Sequence, residues 1–430
     1  MRNNLKIGLY LETYECQNED YFDNIMRLVQ QSEIEILVFP ECSWNFDDIS
    51  ILNDEGKKSM REWALGLSKK WGCVLILGAI DKNDIIFNIY ANAFATDGET
   101  DTHFYIKHTM TDFSAFELNN YHNLKKQIFE PIIYQGYKIG MTICYDCNHS
   151  MFSRIYGLQN IDILINSTGG DVIFDKWQKY NKARAIENHC YNFVTMGGDG
   201  TTDKPKCYVY GFNREGGELP FTALEKSVTA QNVPGTVYIY DLSKDNKQGT
   251  PDRSLYQKEN ESKYQHIHIP TANLSSLLKK AQKIKDSLYI CNIDKINLVI
   301  VIADNENILK PEKHLPLIYA DELKNYDNKR YLILCRYDNL DEKFYQNKLS
   351  TILKVRSMEN YCAVILESKT HNKCYQTSKN RAAQVVKAEN GYYGLDLDRM
   401  KGPETIWTNK QGMKASWRNN LEWLIKNMTK

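Results

Sequence analysis

Three side chains, far apart in the chain, stand where strand-like segments end and where reactive groups can be held. Lys138-Ile-Gly-Met-Thr-Ile-Cys-Tyr-Asp146 runs as an apolar strand into Cys144, and a polar stretch and a helix pattern follow. A cysteine on a strand-to-helix turn can present its sulfur as a nucleophile, with turn amides placed to receive an oxyanion. A thiol of ordinary pKa, about 8.5, needs a base or a neighbouring cation before it attacks. Ile36-Leu-Val-Phe-Pro-Glu41 is a buried run closed by proline, so Glu41 emerges past the C-terminal edge of a strand. Open α/β sheets build their sites at that edge, and a carboxylate there is a candidate general base. Tyr105-Ile-Lys107-His108 sets an ammonium at the end of another strand, where it can stabilise negative charge growing on a substrate oxygen. Taken singly, each has a plainer reading: a buried cysteine filling a strand end, and solvated charges at strand termini.

The elements that must hold these groups can be read from periodicity. Leu5, Ile7, Leu9 and Leu11 alternate, Phe22, Ile25, Met26 and Val29 recur at helical spacing, and Ile34 to Phe39 is an apolar run broken only by Glu35. Met60, Trp63, Ala64, Leu67 and Trp71 predict a second helix closed by Gly72 as C-cap, followed by a buried strand over 73–80. A hairpin-like pair is expected near 86–95 and 102–107, then strand 137–144, helix 149–160, strand 161–166, helix 175–190 and strand 192–196, with late β segments near 207–212 and 236–242. Strands alternating with helices, with extra antiparallel pairs, give an α/β layered domain over residues 1–245. Residues 246–264 are charged and poor in apolar periodicity and are expected to be a linker, leaving 265–430 as a second lobe.

That lobe carries a weak internal repeat. Lys182-Ala-Arg-Ala-Ile-Glu-Asn-His-Cys190 matches Lys354-Val-Arg-Ser-Met-Glu-Asn-Tyr-Cys362 at five of nine positions, and Lys206–Arg214 matches Lys373–Arg381 at five of nine in the same order. The expectation is a degenerate partial copy of the second half of the first domain. Aligning Lys295–Asp304 on Lys138–Asp146 puts Val301 or Ile302 at the nucleophile position, so no thiol is available there. The lobe is expected to be non-catalytic.

Composition removes several function classes. The chain has 430 residues, with 54 Lys plus Arg against 54 Asp plus Glu, so no global positive field gathers phosphates or an anionic membrane. Mean hydropathy is -0.52 and no apolar run approaches the roughly 20 residues of a membrane helix. The expectation is no nucleic acid, no membrane and no export signal, and the eleven scattered cysteines suit a reducing, cytoplasmic setting. Cys144-Tyr-Asp-Cys147 has C-x-x-C form, but no second pair stands at finger-like spacing, so no metal is expected. Gly197-Gly-Asp-Gly200 lacks the Lys and helix of a phosphate loop. Arg184 and Glu187, three apart on a helix, read as a structural ion pair.

Taken together, Leu37-Val-Phe-Pro-Glu41, the Lys107 segment, Gly140-Met-Thr-Ile-Cys144-Tyr-Asp146, Asn166-Ser-Thr-Gly169 and Ala183-Arg-Ala-Ile-Glu-Asn188 resemble the nitrilase, or carbon-nitrogen hydrolase, superfamily, in its order and spacing. The resemblance implies an α-β-β-α sandwich and a Glu-Lys-Cys triad on Glu41, Lys107 and Cys144. It also implies a further glutamate, Glu117, orienting the lysine or the substrate. One departure matters: where similar enzymes carry an aromatic-Pro-Glu turn, this chain has His149-Ser-Met151, with Arg154 still in place. That loop commonly lines the pocket, so Tyr145, His149, Thr168 and Gly169 are the candidate substrate-binding residues, and His149 reads equally well as a helix cap or an exposed side chain. The implied activity is cysteine-dependent hydrolysis of a small amide or carbamoyl compound at a non-peptide carbon-nitrogen bond, through a thioester, without a cofactor. The alternative is an inactive nitrilase-like binding or scaffold protein. Related enzymes pair as dimers, so a homo-oligomer, or a pseudo-dimer with the second lobe, is expected.

Overall fold

The structure, a computed structural model, describes residues 5–11, 19–109, 129–169, 174–197, 208–224, 235–244, 266–270, 274–293, 295–377 and 382–402. The stretch 246–264, expected as a linker, and Glu117 lie outside the described residues. The chain divides into two compact units, Met1–Phe174 with Arg184–Leu255, and Asp175–Ala183 with Tyr256–Lys430. No helix of the described residues is long and apolar enough to cross a membrane.

The first unit is built on two sheets. The larger contains β1 (Lys6–Leu11), β2 (Ile36–Val38), β3 (Trp44–Phe46), β4 (Val74–Asp81), β5 (Ile86–Ala91), β6 (Thr102–Ile106), and two later strands, β12 (Thr222–Ala223) and β13 (Thr236–Asp241). Their order is β12-β13-β1-β2-β4-β5-β6, with β3 on β4 off that path. The second sheet has the order β11-β10-β9-β8-β7, from β7 (Ile132–Tyr134), β8 (Tyr137–Ile143), β9 (Ile163–Thr168), β10 (Tyr191–Met196) and β11 (Tyr208–Phe212). Apolar faces of α1 (Glu19–Gln30) and α2 (Asp54–Trp71) cover the first sheet, where Ile25, Val29, Met60, Ala64 and Trp71 join Leu37, Phe39, Leu75 and Leu77 in one buried cluster. Helix α2 ends as its sequence predicts: Gly72 takes φ 72 and its N–H bonds the Ser68 carbonyl at 2.9 Å.

The inner faces of the two sheets meet each other. Asn88 on β5 donates to Ser167 on β9 at 3.3 Å, the Thr195 hydroxyl on β10 donates to the Tyr10 carbonyl on β1, and Phe193 meets Tyr240 edge-on at 5.5 Å. Helices α3 (Ser150–Leu158) and α4 (Phe174–Asn188) follow β8 and β9. The Tyr156 ring of α3 lies so close to Gly140 of β8 that a Cβ there would fall 2.7 Å from it. This is the α-β-β-α arrangement that the sequence resemblance implies, and the two sheets bring the ends of β2, β6 and β8 to one rim.

The second unit repeats half of that plan. Its large sheet has the order β15-β16-β17-β18-β19-β20-β21, built from β15 (Gln282–Lys285), β16 (Leu288–Ile293), β17 (Ile296–Asp304), β18 (Lys329–Tyr337), β19 (Ala363–Ser368), β20 (Asn372–Gln376) and β21 (Gln384–Val386). A three-stranded sheet of β14 (His266–Pro270), β23 (Tyr392–Asp396) and β22 (Ala388–Glu389) packs on it, with Ile269, Tyr393 and Leu395 meeting Leu298, Ile300, Leu332 and Leu334. Helix α5 (Ser275–Lys279) precedes β15, α6 (Pro311–Ile318) follows β17, and α7 (Ser350–Asn360) precedes β19.

The register of the copy can be read across the strands. The row Ile139–Ile163–Tyr191 in the first unit corresponds to Ile300–Leu332–Ala363 in the second. The helix match is in phase: His189 and Tyr361 both leave their helices with positive φ, 49 and 46, and Cys190 and Cys362 follow each. The second sequence match is not. Phe212 pairs with Asn192, and Tyr375 with Val364, so Tyr375 is the structural counterpart of Phe212 and not of Tyr208, a shift of four residues. The nucleophile position is corrected as well. Cys144 follows β8 with φ 44, and the equivalent turn after β17 begins at Asn305 with φ 47, so neither Val301 nor Ile302 occupies it. Both of those lie inside the strand; no thiol stands at the elbow on either reading.

Candidate active site

Each candidate group is delivered by a strand end. Proline ends the apolar run that forms β2, and Glu41 follows on a tight turn in which the Ser43 hydroxyl bonds the Pro40 carbonyl at 2.9 Å and Cys42 takes φ 58. That turn lies against β4, where a Cβ at Gly78 would meet the Pro40 carbonyl oxygen at 1.9 Å and Glu41 Cα at 2.8 Å. A glycine inside an otherwise apolar strand marks such a close backbone approach. Lys107 follows β6, its N–H bonded to the Ile86 carbonyl at 2.9 Å. Cys144 opens the 3-10 turn Cys144–Asn148 between β8 and α3, in the left-handed conformation that a non-glycine residue adopts only under constraint.

The structure brings Glu41, Lys107 and Cys144 together. Lys107 Nζ donates to Glu41 Oε1 at 2.6 Å, with the two side chains only 2% and 6% exposed. The other oxygen, Oε2, accepts the Gly169 N–H at 2.9 Å, and the Cys144 thiol points at the Gly169 carbonyl, with Sγ 3.8 Å away. Gly169 thus bridges the carboxylate and the thiol through its two backbone groups. Burial, then Glu41, pushes the Cys144 thiol well above its ordinary pKa, against the opposing pull of Lys107. Burial also opposes the charge on Lys107, but Glu41, Cys144 and Asp146 outweigh it and hold the ammonium protonated. The resting pair is therefore a neutral thiol beside a carboxylate-ammonium pair, and the sulfur must give its proton to Glu41 as it attacks.

The remaining candidates take different places. Tyr145 is half-buried on the turn. His149 is buried at the start of α3 and its side chain makes no capping bond; burial, then Arg184, pushes it down to about 3 and leaves it neutral. It stands at the N-cap position of α3 without the side-chain bond of a cap, and it is not the exposed side chain of the other plain reading. Thr168 is fully buried at the end of β9, one residue beyond the Ser167 side chain that reaches Asn88, and so on the opposite face of the sheet. Glu117 lies outside the described residues.

Three further groups complete the site's frame: Asp146 and His108, to which the sequence assigned no role, and Arg184, read there only as a structural ion pair with Glu187. Asp146 is fully buried two residues after Cys144 and accepts from Tyr105 and from the backbone beyond Lys107. Arg184 of α4 donates from Nε to the Cys147 carbonyl at 2.8 Å while its Nη1 pairs with Glu187 at 2.5 Å, so the ion pair read from spacing also holds the far end of the Cys144 turn. The ring of His108 is stacked between Phe129 and Phe152 at 4.9 and 5.0 Å, and burial pushes it down to about 3, so it packs as a neutral group behind Lys107. Gly78 could have been found from its place within a buried strand, and Asp146 from a carboxylate two residues after the candidate nucleophile.

Residues 9–212 match the family model described as carbon-nitrogen hydrolase. A curated relative, a probable nitrilase of Schizosaccharomyces pombe, is 28% identical over 182 residues, which cover 39% of this chain and 63% of the relative. The chain thus spans about 63% of the length of that curated relative. Among solved structures, a carbon-nitrogen hydrolase from Helicobacter pylori G27 is 17% identical with a TM-score of 0.41, covering 56% of this chain and 90% of that one. An amidase from a Nesterenkonia species is 15% identical with a TM-score of 0.43, covering 57% and 93%.

Proposed function

We infer, from a chain that belongs over residues 9–212 to the nitrilase, or carbon-nitrogen hydrolase, superfamily, that this protein is a cysteine-dependent hydrolase of a small amide or carbamoyl compound at a carbon-nitrogen bond other than a peptide bond. The observation that carries the reading is the buried meeting of Lys107 with Glu41 at 2.6 Å beside the Cys144 thiol. A buried ion pair is costly to desolvate, and its retention at a rim next to a strained cysteine is accounted for by chemistry more readily than by stability.

The proposed steps are these. With the substrate carbon about 3 Å from the sulfur, Glu41 takes the thiol proton as the carbon-sulfur bond forms. Negative charge moves to the substrate oxygen, where Lys107 and the Tyr145 backbone N–H stabilise it. Glu41 returns its proton to nitrogen, the carbon-nitrogen bond breaks and ammonia or an amine leaves, with a thioester on Cys144. Water then gives a proton to Glu41 as its oxygen adds to the thioester carbon. The carbon-sulfur bond breaks, the thiol regains that proton, and a carboxylic acid is released. No cofactor takes part in these steps. Gly169 steadies the base, and Tyr145 and His149 are assigned to shaping the substrate pocket, whereas Thr168, on the face of β9 opposite Ser167, is not. In the second unit the elbow residue is Asn305, which has no sulfur to attack with, so that unit is assigned no turnover. The test is an ammonia-release screen over amides, ureides and nitriles with a Cys144→Ala blank. Turnover lost in the blank supports the assignment, and near-normal ammonia release from it would reject it.

A further inference from the structure

We propose that Asp146 is a positioning residue that ties the turn carrying Cys144 to the strand end carrying Lys107, and so sets the distance between thiol and ammonium. The proposal rests on the hydrolase reading above. Two segments converge on this one carboxylate. From the Lys107 side, the Tyr105 hydroxyl donates to Oδ2 at 2.8 Å, and the Thr109 N–H and hydroxyl donate to Oδ1 at 2.9 and 2.8 Å. The His108 N–H donates at 3.2 Å. From the Cys144 side, the Ile143 N–H donates to Oδ2 at 3.3 Å. Lys107 is thus flanked by residues fastened to a group two positions from the nucleophile. A carboxylate, acceptor-only at two oxygens, satisfies such a set of donors, whereas an amide would turn its own N–H groups toward some of them.

The second unit supplies the control. There the elbow begins at Asn305, so the position of Asp146 is taken by Asn307, and both are exposed where Cys144 and Asp146 are buried. That unit keeps the other strut: Arg356 donates from Nε to the Ile308 carbonyl at 3.0 Å and pairs with Glu359 at 2.6 Å, as Arg184 does with Cys147 and Glu187. The arginine strut accompanies the fold in both units, while the aspartate occurs only where a lysine must be held against a thiol. The groups acting on Asp146 are Lys107, Tyr105, Thr109 and His108, with Tyr156 also facing it. Burial raises Asp146 to about 6 against the lowering pull of Lys107, Thr109, Tyr105 and His108. It is ionised above that pH and protonated below it, where it turns from acceptor to donor and the tether loosens.

The experiment compares the full chain with its Asp146→Asn, Tyr105→Phe and Thr109→Ala variants. It follows alkylation of Cys144 by iodoacetamide as a function of pH, with the adduct located by mass spectrometry, and kcat and KM on the best amide. A misplacement of about 1 Å costs about a hundredfold, so Asp146→Asn is expected to lose about that factor in kcat with KM little changed. Its alkylation should slow and lose the limb near pH 6. Tyr105→Phe and Thr109→Ala each remove a bond that favours the ionised carboxylate, so the limb should move to higher pH with a smaller fall in kcat; a merely structural bond would not move it. A folded Asp146→Asn with wild-type alkylation and kcat overturns the proposal. If that variant does not fold, an unmoved limb and unchanged kcat in the two single-bond variants overturn it equally. A wild-type chain that turns over no amide would defeat the hydrolase reading, and the alkylation comparison would still decide the role of Asp146.

Discussion

The two units build the same strand-turn-helix and use it differently. In the first, the turn after β8 is covered: Cys144, Asp146 and Cys147 are buried beneath strand ends of the eight-stranded sheet. In the second, the turn after β17 begins with the same left-handed residue and is braced by the same buried arginine-glutamate pair, yet Asp304 to Asn307 are exposed. The difference lies in the partner sheet. Three strands stand where the first unit has eight. The strained turn is thus a property of the fold, and reactivity comes from what the opposite sheet brings to it.

The comparison can be broken or sharpened by substitution. The largest effect is expected of Cys144→Ala, which should abolish ammonia release while circular dichroism and melting stay near wild type; measurable turnover would place the nucleophile elsewhere. Next comes Lys107→Met. Loss of one oxyanion donor costs about 10²–10³ in kcat, and Glu41 left buried without its partner costs folding stability, about 3–5 kcal/mol for such a pair. Steady-state kinetics and thermal melting should therefore both fall, and a variant that lost stability but kept kcat would separate the ion pair from the chemistry.

A third substitution acts through the backbone. Gly78→Ala places a Cβ 1.9 Å from the Pro40 carbonyl oxygen, so the turn bearing Glu41 must shift. A shift of about 1 Å should cost about a hundredfold in kcat, with all three reacting side chains intact. Arg184→Met and Arg356→Met test the shared strut: melting should fall by a similar amount in both, and only the first should lower kcat. Equal loss of kcat in the two would mean that the second unit takes part in turnover. The smallest effect is expected of Asn305→Cys. A thiol placed on the exposed elbow should label with iodoacetamide like an ordinary surface cysteine and add no ammonia release, since Asn305 is exposed to water where Cys144 is buried beside Glu41 and Lys107.

Some of this was legible in the residues. The run Ile36–Phe39 closed by Pro40, and Gly72 after the helical spacing ending at Trp71, are local signals, and the strand end and the cap appear where they predict. The segments around Glu41, Lys107 and Cys144 could be grouped before any fold was known through the resemblance they carry together, since each taken singly reads as a strand-end charge or a buried thiol. The repeat was harder. Its helix block is in register because Arg184 and Arg356 perform the same buried task, whereas Cys207-Tyr208 and Cys374-Tyr375 agree in sequence four residues out of phase. Similarity carried by a shared contact survives alignment, and similarity of strand composition alone does not fix register.

Sequence alone determined which residue types were available: a cysteine, a glutamate and a lysine at strand ends, an arginine three residues before a glutamate on two helices, and a second elbow without sulfur. Only the tertiary structure decided which of them meet. The bond of Lys107 to Glu41, the bridge through Gly169 and the donors around Asp146 join residues separated by 66, 128 and up to 41 positions. No local propensity records such distances. They are set by how two twisted sheets pack, which bury the first elbow among polar partners and leave the second in water.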